Sequence, residues 1–406
     1  MRWYNFFHIY QPPAWDEPII RRVADESYRP ILSILERHPG VRITLNITGA
    51  LTEQLLAMGM YDIPKRLAAL VARGQVELVG SAMYHAFLPL LPRHEVRRQI
   101  ELQHLTNERV YGVTRPRGMY LPEMAYSPEL DQLLLDLGYE WIILDEGCSG
   151  LPLGKTQLDH PYRTPAGLLV VFRNRFVSDW MSFEADLAAP EKSLQTIEQD
   201  ARSAKVLVTG FDGENLGHHR HGVDALWEFL VTSPGIEAQT ISEFITSAKT
   251  TSPIQLISGS WSSLPSELAA HIPFGLWNHP SNPIHQAQWE LTYTVIKAVQ
   301  SAERDPYYAA ARRLLDRALA SDRYWWASAQ PWWNLPIIIR ETQKLADVID
   351  PLPTLTPRVK KEVEQLMQRI TTTVNLWEQT GLARRRQTSY LKGSGDVHYM
   401  GGNALS

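Results

Sequence analysis

Cysteine is nearly missing from this chain: Cys148 stands alone in 406 residues. One thiol can form no internal disulfide and no cysteine-based zinc cluster, which favours a reducing compartment. Long apolar runs are missing too. No stretch reaches the roughly 18 apolar residues of a membrane span, and the opening MRWYNFFHIY lacks the basic and long apolar regions of a secretory leader. The expectation is a soluble, cytoplasmic protein. Nor does one sign of charge dominate. A formal net charge of −4 with interspersed signs gives no basic footprint for nucleic acid and no attraction to an anionic membrane surface. A neutral partner suits it better. What the chain does have is 13 Trp and 16 Tyr, whose flat apolar faces and polar edges serve sugar rings and core packing alike.

Up to about residue 260, short β-rich runs alternate with amphipathic helical stretches, the pattern of a parallel sheet with crossover helices. The runs are Trp3–Phe7, Arg42–Ile47, Val76–Val79, Gly118–Leu121, Trp141–Leu144, Leu168–Phe172 and Val206–Thr209. Local chemistry supports the helices between them. Ser127, Pro128 and Glu129 form an N-cap, N1 proline and acidic first turn, and Gly40 and Gly74 stand where C-terminal caps belong. After about 270 the strand signal fades into helical stretches near 284–302, 306–321, 336–349 and 356–379. The expected organisation is a catalytic unit over 1–265, a helical C-terminal region over 266–380 contributing to the cleft, and a polar tail over 381–406.

Polar residues gather within or just beyond the strands: His8 and Gln11, Asn46, Glu77 and then His85, Glu123, Asp145 and Glu146, Arg173 and Arg175, Asp212 and Glu214. In a closed α/β barrel such positions converge on one rim, where the active sites of these barrels lie. In an open doubly wound sheet only those near the switch point would meet. The barrel is the favoured reading. Two segments stand out, GMYLPEMAYS around Glu123 and VLVTGFDGENLG around Asp212. Each ends an apolar run in a carboxylate, and glycosidic bond cleavage uses two: one attacks or stabilises the sugar cation, and the other protonates the leaving oxygen.

Five segments in order resemble glycoside hydrolase family 57, a group of retaining enzymes acting mainly on α-glucans. They are FHIYQPP with His8, Gln11 and Pro12; GQVELVGSAMYHAFLPLLP with Glu77, His85 and Pro89; YLPEMAYS; VTGFDGEN; and, more weakly, GSWSSL with GLWNHPSNPIHQAQWEL, carrying Trp261, Trp277 and Asn282. Tyr10 departs from the pattern, standing where many members have a second histidine. The resemblance implies a seven-stranded, TIM-barrel-like (β/α) fold with a C-terminal helical region. It implies Glu123 as nucleophile and Asp212 as general acid/base, with His8, Gln11, Glu77, His85, Glu214, Trp261 and Trp277 around an α-glucan or oligosaccharide. No cofactor or metal is implied. For the roles to hold, Asp212 must keep its proton near neutral pH while Glu123 stays ionised. Apolar walls and the Glu214 charge are therefore expected around the acid, with hydrogen-bond donors around the nucleophile.

Plainer readings compete residue by residue. Glu123 could be a loop carboxylate capping a helix, Asp212 to Asn215 a simple turn, His8 and His85 satisfied structural histidines, and the two tryptophans core. Arg173, Arg175 and Asp179 fit a salt bridge at the rim slightly better than a site lining. The run His218, His219, Arg220, His221 invites a zinc reading, yet adjacent histidines diverge and no conventional ligand spacing accompanies them. Two other functions are alternatives: a metal-dependent carbohydrate enzyme such as a deacetylase or α-mannosidase, and a non-catalytic glycan-binding protein. Within the first reading, the lack of further C-terminal β-domains points to an amylase-like or small glucanotransferase role. Hydrolysis against transfer, linkage and oligomeric state stay open.

Overall fold

The computed structural model describes residues 1–201 and 205–393, to which every structural statement below refers. Ten strands form: β1 (Arg2–Ile9), β2 (Ile43–Ile47), β3 (Val76–Leu78), β4 (Gly118–Met119), β5 (Trp141–Asp145), β6 (Tyr162–Arg163), β7 (Leu169–Arg173), β8 (Val206–Asp212), β9 (Glu237–Gln239) and β10 (Ser252–Pro253). All seven expected runs are among them, and β6, β9 and β10 are additional. Their ladders make two five-stranded sheets. One runs β3-β2-β1-β8 with β9 against β1, the other β10-β6-β7-β5-β4. Every pairing is parallel except β6 with β7.

The α/β class with a helical C-terminal region is therefore what the chain adopts, but the ladders do not close into one ring of seven. The reason is strand length. β3 has three residues and β4 two, too few to carry a continuous ladder between the sheets. The sheets instead touch at two seams, a parallel bridge from Gly80 to Met119 and a hydrogen bond from Asn174 N to Val208 O of 2.7 Å.

Strand parity decides what faces the space between the sheets. Tyr4 and Phe6 of β1 pack there with Trp141 and Ile143 of β5, Val171 of β7 and Val208 of β8. The alternate residues Trp3, Phe7 and Ile9 pack outward with Leu207 and Phe211, against Ile31, Leu35 and Trp227 from the crossover helices. Both faces are thus buried, which is why β1 reads as a nearly continuous apolar run. Continued one step, the inward parity delivers His8 at the end of β1 and Asp212 at the end of β8, in register with each other.

The C-terminal helices Pro283–Ser301, Tyr308–Ala318, Leu335–Ala346 and Pro357–Gln379 match the expected stretches closely. The second of them docks on the helix Arg93–Tyr111 through buried charge. Arg312 donates to both oxygens of Glu95 at 2.7 Å and also pairs with Asp316, and Arg98 grips Asp316 from the other side. The polar stretch after Gly381 contains a helix, Leu382–Gly393, with Ala383 and Tyr390 buried, so its first part is packed rather than loose. The rest of the expected tail lies outside the described residues. Gly74 takes φ +73° as a left-handed cap, whereas the helix before Gly40 ends on His38. No described helix is long and apolar enough to cross a membrane.

Candidate active site

Loops at the ends of β1, β3, β4 and β8 build the site. Beyond β4 the chain makes a tight turn at Pro122–Met124, where Glu123 takes φ +62° and ψ +18°. A non-glycine residue there is strained, and such strain persists only where surrounding contacts hold it. Trp261 provides two of them: its backbone N–H donates to Glu123 O at 3.2 Å, and its indole Nε1–H donates to Glu123 Oε2 at 2.9 Å. His85, itself at φ +54°, brings Nδ1 to 3.9 Å from Glu123 Oε1.

At the end of β8 a short turn carries Asp212, Gly213 and Glu214. Only glycine fits between the acids, because a Cβ at position 213 would lie 2.4 Å from Ile9 Cγ2. Glu214 is buried, with Oε1 accepting from Tyr28 Oη at 2.5 Å, Tyr10 N at 3.1 Å and Gln11 Nε2 at 3.2 Å. Gln11 therefore acts through Glu214. Burial still pushes Glu214 up to about 7 against these donors. Asp212 lies well above the ordinary aspartate range, raised first by burial and then by the charges of Glu214 and Glu123, with Arg173 pulling the other way.

Glu123 departs from expectation. Burial pushes its carboxyl up to about 8, opposed by the Trp261 N–H and reinforced by the charge of Asp322. One donor is too few to offset desolvation. The Glu123 charge is itself a cause of the Asp212 shift, so a proton shared by this pair belongs on Asp212.

His8 and His85 form a relay of neutral rings. His8 Nδ1 faces Asn46 Oδ1 at 2.8 Å, its Nε2 faces His85 Nε2 at 3.1 Å, and His85 Nδ1 faces Ser321 Oγ at 3.0 Å. With the Asn46 oxygen accepting, one consistent set of donors runs from Ser321 through His85 and His8. Burial lowers His8 to about 3, and lowers His85 well below its usual value. The Tyr10 ring stacks on His85 at 4.1 Å and 11°.

Not every expected residue joins this group. Glu77 is the middle residue of β3, accepting from Thr44 Oγ1 at 2.9 Å, from Ser242 N at 3.1 Å and from the Ser242 hydroxyl. It anchors the helix Ile241–Ser247 to β2 and β3. Trp277 is 1% exposed and stacks on Phe87, so it is core and offers no platform. Asn282 caps the helix Pro283–Ser301. Arg173 binds Asp145 at 2.7 Å and Asp179 at 3.1 Å, and also lies 5.6 Å over the Trp261 ring. His218 pairs with Glu26 at 2.6 Å. Among the described residues no three His, Cys, Asp or Glu side chains gather as a metal site.

Two residues went unnoticed in the sequence. Ser321 and Asp322 come from the helical region, and nothing in SDRYWW distinguishes Asp322 from an ordinary first-turn acid. An open cavity of about 370 Å³ lies on one side, lined by Asp212, Trp261, Arg173, Phe176, Asp179 and Trp180 among others.

Two strand-end carboxylates thus lie near enough for the Glu123 charge to act on Asp212, and Asp212 lines a cavity walled by Trp261, Phe176 and Trp180. The sequence comparison gives the family. A model of glycosyl hydrolase family 57 matches residues 3–256, and the chain belongs to that family. An alpha-amylase of Pyrococcus horikoshii is 31% identical over 215 residues, 52% of this chain and 33% of that protein. The chain spans about a third of the length of the curated relatives it matches. In fold it resembles a 4-alpha-glucanotransferase from Thermococcus litoralis, with a TM-score of 0.70 and 22% identity over 88% of this chain and 59% of that one. It also resembles a branching enzyme from Pyrococcus horikoshii, with a TM-score of 0.69 and 18% identity over 90% and 94% of the two chains.

Proposed function

We propose that the protein is a retaining enzyme that hydrolyses or transfers α-glucans, with Glu123 as nucleophile and Asp212 as general acid/base. The observation that carries this reading is Trp261, which donates to Glu123 and lines the same cavity as Asp212, so that one residue links the nucleophile to the space the acid faces. Family membership and the alpha-amylase and 4-alpha-glucanotransferase relatives support the substrate class.

In the first step a Glu123 oxygen bonds to the anomeric carbon as the glycosidic bond breaks, and Asp212 gives its proton to the leaving oxygen. In the second, Asp212 takes a proton from water or a sugar hydroxyl as that oxygen displaces Glu123. A carboxyl separation of about 5 to 5.5 Å belongs to this retaining course. Glu214, held by Tyr28, Gln11 and the Tyr10 N–H, keeps negative charge beside Asp212 and so favours its protonated form. Neutral His8 and His85, their ring nitrogens engaged in the relay from Ser321 to Asn46, brace the end of β1 beside Glu123 without competing for the proton.

The seams at Gly80 and Asn174 support a closed ring of β1, β2, β3, β4, β5, β7 and β8, the barrel reading of the two sheets. Residues 1–265 then form the catalytic unit, and the helical region completes its cleft through Ser321 and Asp322. The lone cysteine agrees with a cytoplasmic setting.

Chromatography of maltoheptaose after incubation with wild type and Glu123→Gln tests the function. Products that depend on Glu123 are expected. Equal turnover by the variant removes Glu123 from the role, and no turnover by either sample removes the α-1,4-glucan reading.

A further inference from the structure

Trp261 touches Glu123 twice, through its backbone N–H and its indole, yet it stands between β10 and the short helix Pro265–Ala269 in a stretch with no strand or helix of its own. Carbonyl groups in such a stretch have no ladder to accept from, and buried ones need another donor. Arg175 supplies it. This first residue of the helix Arg175–Phe183 is 7% exposed. Its Nη2 donates to the Trp261 carbonyl and, at 3.2 Å, to the Ser263 carbonyl, and its Nη1 lies 3.5 Å from Asp145 Oδ1. Asp145 is buried at the end of β5, and its other oxygen accepts from Arg173 Nε at 2.7 Å. Arg173 in turn lies over the Trp261 ring. The two arginines thus share one carboxylate and reach Trp261 from two directions, one at the backbone and one at the ring face.

This arrangement uses what a guanidinium offers and an ammonium does not. A planar fork serves two carbonyls with one nitrogen while a second nitrogen faces a carboxylate, whereas lysine presents a point charge. Asp145 compensates the buried charge, so the fork is held at little cost. Trp261 stands between Arg175 and Glu123, its carbonyl bound to one and its two N–H groups to the other. We propose that Arg175 is a positioning residue, which by fixing the Trp261 carbonyl keeps the indole N–H on the Glu123 carboxylate. The inference rests on Glu123 as nucleophile and adds how its indole donor is held in place. The other titratable groups around Glu123 are His85, kept neutral by burial, the carboxylates of Asp212 and Asp322, and the phenols of Tyr10 and Tyr120. None of these five is a cation. When the indole swings away, the Glu123 carboxyl, already pushed up to about 8 by burial, therefore rises further.

Two variants test this: Arg175→Lys, which keeps a charge for Asp145 without the fork, and Arg175→Gln, which keeps an amide donor for a carbonyl without the charge. In both, the acidic limb of kcat/KM on maltoheptaose is expected to move to higher pH, lowering activity below that limb by about tenfold. Arg175→Lys combined with Trp261→Phe should move the limb no further than Trp261→Phe alone. A fall that is equal at every pH, or shifts that add in the double variant, overturns the proposal. Fluorotryptophan labelling gives a readout without turnover. The fluorine resonance of Trp261, identified by its loss in Trp261→Phe, should titrate with Glu123, lose that titration in Glu123→Gln, and in Arg175→Lys shift and titrate at higher pH. A resonance and midpoint unmoved by Arg175→Lys overturn the positioning role. The expected resonance behaviour in a protein that leaves maltoheptaose untouched keeps the positioning role and sinks the glycosidase reading, so the two fail separately.

Discussion

Tyr10 Oη donates to Asp322 Oδ2 at 2.6 Å, joining positions 312 residues apart. The bond ties the end of β1 to the helical region at the edge of the carboxylate group, and Asp322 in turn adds negative charge near Glu123. Burial pushes Asp322 up to about 6, with the Tyr10 bond holding it down. Tyr10→Phe removes the donor and leaves a buried carboxylate short of a partner. A loss of about 1–3 kcal/mol in unfolding free energy is expected from urea titration at neutral pH. An unchanged midpoint would mean that the bond does not hold the two regions together.

Trp261 gives Glu123 its indole donor, and a hydrogen bond to the charged form lowers a carboxyl pKa. Trp261→Phe keeps the ring and removes the donor, so the Glu123 pKa rises. Because the nucleophile must be ionised, the acidic limb of kcat/KM on maltoheptaose should move to higher pH, by on the order of one unit. An acidic limb that stays in place, or moves down, contradicts the assignment of that limb to Glu123.

The same shift affects stability. Glu123 titrates near 4.5 ordinarily and at about 8 in the fold, so between those values the native state keeps a proton that the unfolded state has lost. Stability therefore falls as pH rises through that window, and the protonated form is fully stabilising below it. Glu123→Gln removes this dependence. Its unfolding free energy from urea titration should exceed that of wild type above pH 8, by on the order of a few kcal/mol at most, and the gap should close toward pH 4.5. A constant gap across the range would place the charge elsewhere.

Asp212→Asn should separate protonation from attack. Without the acid, natural α-glucans lose turnover by about 10² to 10⁴-fold, whereas α-glucosyl fluoride, whose leaving group needs no proton, should still form the glycosyl-enzyme. Rapid-quench measurement of fluoride release checks the first step. Equal losses on both substrates would assign Asp212 a structural role.

The local signals in the sequence were strong where the physics is local. Seven strands were legible because both faces of the sheets are buried, so that β1 and β8 read as apolar runs ended by polar residues. The long C-terminal helices were legible from their periodicity, and Glu123 and Asp212 from the turns that end their strands. Trp261 and Trp277 looked alike as sequence. Tertiary packing separated them by seating one against Glu123 and the other against Phe87. Glu77 matched a motif and still turned toward Ser242, since its register with Thr44 and Phe6 puts it one layer below the strand ends that carry His8 and Asp212.

By itself, then, the sequence determined the α/β alternation, the helical region and the two carboxylates, all set by periodicity and turn chemistry within a dozen residues. Only the tertiary structure decided that Ser321 and Asp322 reach the site, that the short β3 and β4 leave two sheets linked at seams, and that Glu123 is driven toward its protonated form. Those outcomes depend on partners distant in sequence, from Gly80 with Met119 across a seam to Ser321 beside His85 in the site, which no local pattern encodes.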